Sequence, residues 1–311
     1  MNEQFLQLLR SPAGNPLIFN EKDGVLTDVQ TSEKYAVKQR TPVLLHPNIA
    51  NQHMTVTLSN GMQADIRYAA HYHEDAEAFD YFEAPADGAS RHEVRRLHQT
   101  IISRTPKSAR TILDVGCGSA WVAAHFCQAD SEMLVVSMDI SVRNPMQAQQ
   151  RYPFDNHATL SADVYALPFA TASFDCIIAS EVIEHTPDPK SFITSLLRVL
   201  KPSGRLIITT PYHENINFSL CIHCNRATPH HAHLHTFRTP KVEEMLSEIT
   251  NISWKIDTFA NKALIRLRTH VLLQYLPFAL WKSIDAAFNG WYRRPLRMLW
   301  QIDKKNEALH Y

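Results

Sequence analysis

Between residues 111 and 211, short and almost continuous apolar runs alternate with longer stretches whose apolar positions recur at helical spacing. The runs near 111 to 115, 133 to 139, 157 to 161, 174 to 180 and 205 to 210 are short and bounded by Gly, Pro and Asp. They predict strands buried on both faces, with helices covering the sheet between them. Lys201-Pro202-Ser203-Gly204 marks a turn before the fifth of these strands, and after Pro240 a helix to about Ser247 leads into a strand from Ile252 to Phe259. Upstream, residues 65 to 104 are mostly helical in pattern, and His71 to Phe82 places Ala76, Phe79 and Phe82 on one face. Residues 1 to 48 form a separate block of short β-like segments around Leu26, Tyr35-Ala36-Val37 and Thr41 to Leu45.

The chemistry starts where the first of these strands ends. In Leu113-Asp114-Val115-Gly116-Cys117-Gly118, the glycines leave the backbone bare for close approach of a ligand, and Asp114 favours a cationic one. Asp139 ends the second apolar run about twenty residues later, where a doubly wound fold puts the acid that binds ribose hydroxyls. A nicotinamide dinucleotide would use the same fold, but it needs G-x-G-x-x-G and would bring phosphate charge towards Asp114; here Ser119-Ala120-Trp121 follows the glycines.

With Asp163-Val164 before Leu167-Pro168-Phe169, then Ser173 to Ser180 and Leu200 to Pro211, the chain resembles the class I S-adenosylmethionine-dependent methyltransferases, in particular the ubiquinone O-methyltransferase-like group. The resemblance covers residues 111 to 211, with Ala120 where the family often has a third glycine. It implies an α/β, doubly wound, seven-stranded sheet whose last strand is antiparallel, and Leu296 to Lys305 matches that ending. It further implies S-adenosylmethionine held by Asp114, Gly116, Cys117, Gly118, Asp139, Ile140, Asp163, Val164, Ser180 and Glu181. The segment before the first core strand covers the cofactor in related enzymes, which makes Tyr72, Tyr81 and Phe82 pocket candidates.

The organisation that follows is a unit over 1–48, a helical cap or linker over 49–110, and a methyltransferase domain over 111–311 with a loop insertion at 213–239 and a helical insertion at 262–295. The first unit resembles the small zinc-ribbon activators of methyltransferases with its ligands gone, since Ser11, Gly14, Asp28 and Thr31 stand where two cysteine pairs would be. Without thiolates no structural zinc is expected there. In the helical insertion, Trp281, Phe288 and Trp291 are expected as apolar contacts of a lid or interface element rather than of a membrane anchor.

Composition narrows the partners. The 31 basic and 31 acidic side chains cancel, giving no global field for nucleic acid, although from Lys262 to Tyr311 nine Lys or Arg face three Asp or Glu. The longest apolar stretch, Val271 to Trp281, is about half a membrane span, so no transmembrane segment is expected. The N-terminus lacks the run of a secretory signal, and five cysteines in this setting do not form a disulfide framework; a cytoplasmic location is expected.

Two clusters carry further chemistry. Glu181-Val182-Ile183-Glu184-His185 brings two carboxylates and an imidazole to one side of a helical turn, and could bind magnesium together with His233. That spacing resembles the ubiquinone-pathway O-methyltransferases and the small-RNA 3′-terminal 2′-O-methyltransferases. In related methyltransferases without metal the first acid of such a turn borders the cofactor, the second faces solvent and the histidine approaches the substrate, which implies those roles for Glu181, Glu184 and His185; His185 is then the best-placed base, with His213 and His233 as runners-up. In the second cluster, Cys221 and Cys224 with His231 and His235 have the ligand types and spacing of a zinc site. The expected function is O-methylation of a small-molecule acceptor; methylation of RNA 3′ ends and a non-catalytic cofactor-binding partner remain as alternatives.

Overall fold

The computed structural model describes residues 1–306 apart from 47, 59–60, 221–226, 267–271 and 273–274. Strands β1 to β4 are Leu17–Asn20, Val25–Asp28, Lys34–Lys38 and Thr41–Leu44, and a separate hairpin is made of β5 (Met54–Thr57) and β6 (Gln63–Ile66). Helices α2 (Tyr68–Ala78) and α3 (Gly88–Arg104) follow the short α1 (Glu3–Leu8). The core then alternates β7 (Thr111–Val115), α4 (Trp121–Ala129), β8 (Leu134–Asp139), α5 (Arg143–Arg151), β9 (His157–Ala162), β10 (Phe174–Ser180), α6 (Pro189–Val199) and β11 (Leu200–Pro211). It closes with the small hairpin β12 (Phe218–Leu220) and β13 (Ala227–Pro229), α7 (Thr239–Ser247), β14 (Ile252–Asn261), α8 (Lys262–Arg266), α9 (Phe278–Trp291) and β15 (Pro295–Lys304).

Seven of these strands lie in the order β9-β8-β7-β10-β11-β15-β14, with β15 antiparallel to both of its neighbours and β7 to β11 mutually parallel. Alternation along each strand serves two cores. Leu113, Val115, Val136 and Met138 pack on one side of the sheet, while Ile112, Val135 and Ile178 pack on the other. The order reverses at β7/β10, so the carboxyl ends of the central strands open a crevice there.

The N-terminal block departs from the separate unit read from the sequence. Its strands continue the same sheet, because β4 pairs in parallel with β9 through Val43↔Ser161 and Leu44↔Ala162, giving eleven strands in all. Phe5, Leu9 and Leu26 share a core with Phe169 and Phe174, and the backbone of Arg10 donates to Pro168 O at 2.8 Å. The four positions matched to ribbon ligands do converge. Asp28 accepts from the N–H groups of Gln30 and Thr31 and from Asn15 Nδ2, while Ser11 Oγ accepts from Asn15 N and Ser11 O from Gly14 N. Burial opposes ionisation of Asp28, but these hydrogen bonds with that of Ser11 prevail and hold its carboxyl well below the usual range.

Two further expectations are corrected. The region 49–110 is not all helical, because β5 and β6 pair antiparallel and bury Val56 against Leu234. Phe79 follows the end of α2 and is 63% exposed, so only Ala76 of the expected stripe is buried. In α9, Trp281 is buried beneath the Arg96 guanidinium, which also pairs with the buried Asp285, but Trp291 is 86% exposed. Among the described residues, no helix is long and apolar enough to cross a membrane.

Candidate active site

The turn after β7 is built from left-handed residues. Gly116 (φ +66°), Gly118 (φ +45°) and Ala120 (φ 51°) coil the backbone ahead of α4, with Cys117 N–H donating to Met138 O, Gly118 N–H to Asp139 Oδ2 and Ala120 N–H to Cys117 O. A Cβ on Gly116 would lie 2.6 Å from Val182 Cγ2, and one on Gly118 would lie 3.3 Å from Tyr81 Cδ1. Ala120 thus occupies a conformation that favours glycine, at a strain of roughly 1 kcal/mol.

A cavity opens over this turn, lined by Gly116, Gly118, Met138, Asp139, Ile140, Asn144, Ala162, Val164, Glu181 and Val182 on the sheet side. Tyr68, Tyr72, Asp75 and Tyr81 cover it from α2 and the loop that follows, and His185, Thr186, His231 and Ala232 close the far end. Asp139 Oδ1 accepts from Ser141 N (2.9 Å) and Oδ2 from Asn144 Nδ2 (3.2 Å) and Gly118 N (3.4 Å), which holds the carboxylate at the rim. Burial pushes its pKa up against these bonds. Asp114 lies beneath, with Oδ2 buried and unpartnered, and burial together with the charge of Asp139 pushes its pKa well above the carboxylate range. A carboxyl poised this way gains from a ligand that brings positive charge or hydrogen-bond donors.

Other expected cofactor residues stand differently. Cys117 is buried, its N–H donating to Met138 O, and Ser180 Oγ pairs with Thr209 Oγ1, so neither side chain lines the cavity. Asp163 accepts from Tyr165 N and lines an adjoining cavity with Leu44, His46 and Met54. Phe82 is half-buried against Cys117, Ala120 and Ala148 rather than in the cavity, whereas Tyr72 and Tyr81 line it as expected.

Beyond the rim, the backbone of the Ile183–His185 turn meets the histidine-rich loop. Glu184 O accepts from Leu234 N (2.7 Å) and His235 N (3.2 Å), which draws His233 beside His185 at 4.7 Å between ring centroids. Donor atoms of Glu184, His185 and His233 lie within 4.8 Å of one another. The Glu184 carboxylate is buried with neither oxygen in a well-formed hydrogen bond, and burial reinforced by Glu181 pushes its pKa well up. Burial, with His233 alongside, pushes the His185 imidazole down to about 3, which makes it a weaker base than the sequence reading supposed. Glu214, which sequence reasoning missed, accepts from His233 Nδ1 at 2.5 Å, and that bond lowers its own pKa.

The magnesium set read from the sequence is brought together only in part. Glu181, at φ +57°, turns towards β15, where Arg297 Nε donates to its Oε2 at 3.0 Å. In the proposed zinc set, Cys221 and Cys224 lie outside the described residues; His231 lines the cavity, while His235 Nε2 meets Pro187 O at 3.3 Å. His213 is displaced from the cavity: its N–H donates to Phe237 O and its carbonyl accepts from Lys262.

Residues 113–208 match the family model described as a methyltransferase domain. The chain is 31% identical over 106 residues to a malonyl-[acyl-carrier protein] O-methyltransferase of Erwinia billingiae, covering 34% of this chain and 41% of that protein. It is 32% identical over 124 residues to a mitochondrial ubiquinone biosynthesis O-methyltransferase of Bos taurus, covering 38% of this chain and 33% of the relative. The matched stretch is thus less than half the length of either relative. The solved structure of the [4+2]-cyclase SpnF superposes with a TM-score of 0.50 at 15% identity, covering 73% of this chain and 87% of that one, a likeness of fold. With the strand order, the glycine turn and the rim carboxylate, these findings identify the chain as carrying a class I S-adenosylmethionine-dependent methyltransferase domain.

Proposed function

We propose that the chain transfers the methyl group of S-adenosylmethionine to an oxygen of a small organic acceptor, and that the His185–His233–Glu214 group receives the acceptor's proton. The observation that carries this reading is the 2.5 Å contact between His233 Nδ1 and Glu214, behind a His185 that lines the cavity. The carboxylate fixes the His233 tautomer, so that Nε2 is the accepting nitrogen, and it stabilises the imidazolium once formed. His185, neutral at pH 7, orients the acceptor oxygen, and the proton leaves towards the His233–Glu214 pair. Displacement at the methyl carbon then needs only alignment, which the walls formed by Tyr68, Tyr72 and Tyr81 supply. O-methyltransferases among the relatives support the acceptor atom.

The cofactor would lie over Gly116 and Gly118, with its ribose at Asp139 and its adenine against Ile140 and Val164, and with Glu181 at the methionine end. For residues 1–48, the hydrogen bonds of Ser11 and Thr31 to Asp28, with Gly14 N–H donating to Ser11 O, support a ribbon whose metal knot is replaced by hydrogen bonds. The 111–311 unit would hold the chemistry and 49–110 its cover.

The Glu184 carboxylate, buried with neither oxygen in a well-formed hydrogen bond, favours a second reading of the same reaction, in which one divalent cation sits on Glu184, His185 and His233. Two imidazoles and one carboxylate suit zinc, manganese or iron better than magnesium, which prefers oxygen ligands. Such a cation would supply Lewis-acid polarisation of the acceptor oxygen. The test is transfer of a labelled methyl group to a panel of phenols, catechols and carboxylates, with and without a chelator. In the direct reading, His233→Ala and Glu214→Gln slow transfer to phenols, the former by about 100-fold or more, spare carboxylates, and leave activity indifferent to chelator. Label appearing only on nitrogen or carbon, or His233→Ala without effect, would refute the proposal; loss with chelator selects the cation.

A further inference from the structure

The solvent-facing side of α9 is unlike that of an ordinary surface helix. Trp281 and Asp285 point inward and are buried, and the exposed positions Ala279, Leu280, Ser283, Ala286, Ala287, Gly290 and Trp291 include only one charged neighbour, Lys282. A surface helix normally carries its polar residues there. Leu280 is 49% exposed, Trp291 86% and Tyr292 47%, and nearby Leu272 and Tyr275 are exposed as well. An apolar face of this kind marks a site that something covers.

The charges around it decide what. Lys282, Arg293 and Arg294 are exposed at its margins, and the helix's one acid, Asp285, is spent inside on Arg96. A second copy of the chain docking this face on itself would bring these cations against their own duplicates, with no exposed acid on the helix to meet them. Anionic headgroups complement them. Tryptophan and tyrosine at the end of an apolar helix face, followed at once by two arginines, is also the side-chain distribution of an interfacial helix lying in the plane of a bilayer. We therefore propose that α9 docks the protein on an anionic membrane surface, with Leu280 and Trp291 entering the headgroup boundary and Lys282, Arg293 and Arg294 meeting phosphates.

The docking face is tied to the methyltransferase site. Lys262, whose N–H donates to Arg294 O, also donates through Nζ to the carbonyls of Tyr212 and His213, immediately before Glu214. A bilayer under α9 therefore lies beside the end of the crevice that carries the Glu214–His233 pair.

The test is flotation of the full chain with vesicles of phosphatidylcholine alone and of phosphatidylcholine with about one quarter phosphatidylglycerol. The expected result is flotation with the anionic vesicles at low salt, release as salt rises, and a drop in partitioning of about tenfold or more in Leu280→Ser/Trp291→Ser. Arg293→Gln/Arg294→Gln should lose the anionic preference, and both variants should keep full binding of S-adenosylhomocysteine, showing that the fold is intact. Absence of flotation with anionic vesicles, or equal flotation of the Leu280→Ser/Trp291→Ser variant, overturns the proposal. So does a dimer in light scattering that Trp291→Ser dissociates without any vesicle binding.

Discussion

Substituting Gly116 by alanine separates two costs that the glycine turn avoids. The residue sits at φ +66°, where an L side chain is strained by about 1–2 kcal/mol, and the new Cβ would fall 2.6 Å from Val182 Cγ2. Val182 packs against the main core and is stiff at χ1, so it must shift by several tenths of an ångström, which adds roughly 1–3 kcal/mol of overpacking. Gly14 is an internal control, because at φ +88° it carries the backbone strain with nothing within 4 Å of the Cβ position. Gly116→Ala is expected to lose about 2–5 kcal/mol in urea unfolding and Gly14→Ala about 1 kcal/mol. Val182→Ala, combined with Gly116→Ala, should restore the steric share but not the backbone share. Calorimetry should find S-adenosylhomocysteine binding abolished in Gly116→Ala and unchanged in Gly14→Ala. Equal stability losses in the two single variants, or intact binding in Gly116→Ala, would refute the reasoning.

Other consequences are equally open to measurement. His157 is buried, bonded to Tyr152 O and Ser137 Oγ, and its pKa is pushed down to about 4, so the unfolded chain binds the extra proton first. Stability from this site is complete above about pH 6.5 and falls as pH drops towards 4, by roughly 3 kcal/mol in all; His157→Gln should flatten that slope in denaturation curves, and an unchanged slope would exclude it. Arg96→Met leaves Asp285 buried without its cation and should cost about 3–5 kcal/mol, much of it recovered by adding Asp285→Leu, whereas simple additivity would deny coupling. Asp28→Ala strips acceptors from Asn15, Gln30 and Thr31 and should expose residues 10–31 to hydrogen exchange before the rest of the sheet; uniform exchange would show that Asp28 is not the knot of that unit.

What the sequence made legible follows a physical divide. The strands β7 to β10 were readable because burial on both faces leaves short apolar runs with no competing period, and the acids and glycines at their ends announce a crevice. The hairpin Met54–Ile66 was not, because its alternation is short and half-exposed and its core partner, Leu234, lies far along the chain. The same distance hid the electrostatics of the site. Arg297 engages Glu181 across 116 positions, and Glu214 reaches His233 only because a loop folds back, so helical spacing alone did not show which charges each carboxylate meets. The N-terminal strands show a different limit: their alternation predicts strands, but only the parallel pairing of Leu44 with Ala162 shows which edge they extend.

Calorimetric titration with S-adenosylhomocysteine tests the central claim most directly, comparing the unaltered chain with Asp139→Ala, which removes the rim carboxylate held by Ser141, Asn144 and Gly118. The account predicts saturable binding of one ligand per chain and a loss of about tenfold or more in Asp139→Ala, as expected for a charge-assisted bond to ribose. No heat with S-adenosylhomocysteine, while a nicotinamide dinucleotide saturates the same cavity, would contradict it.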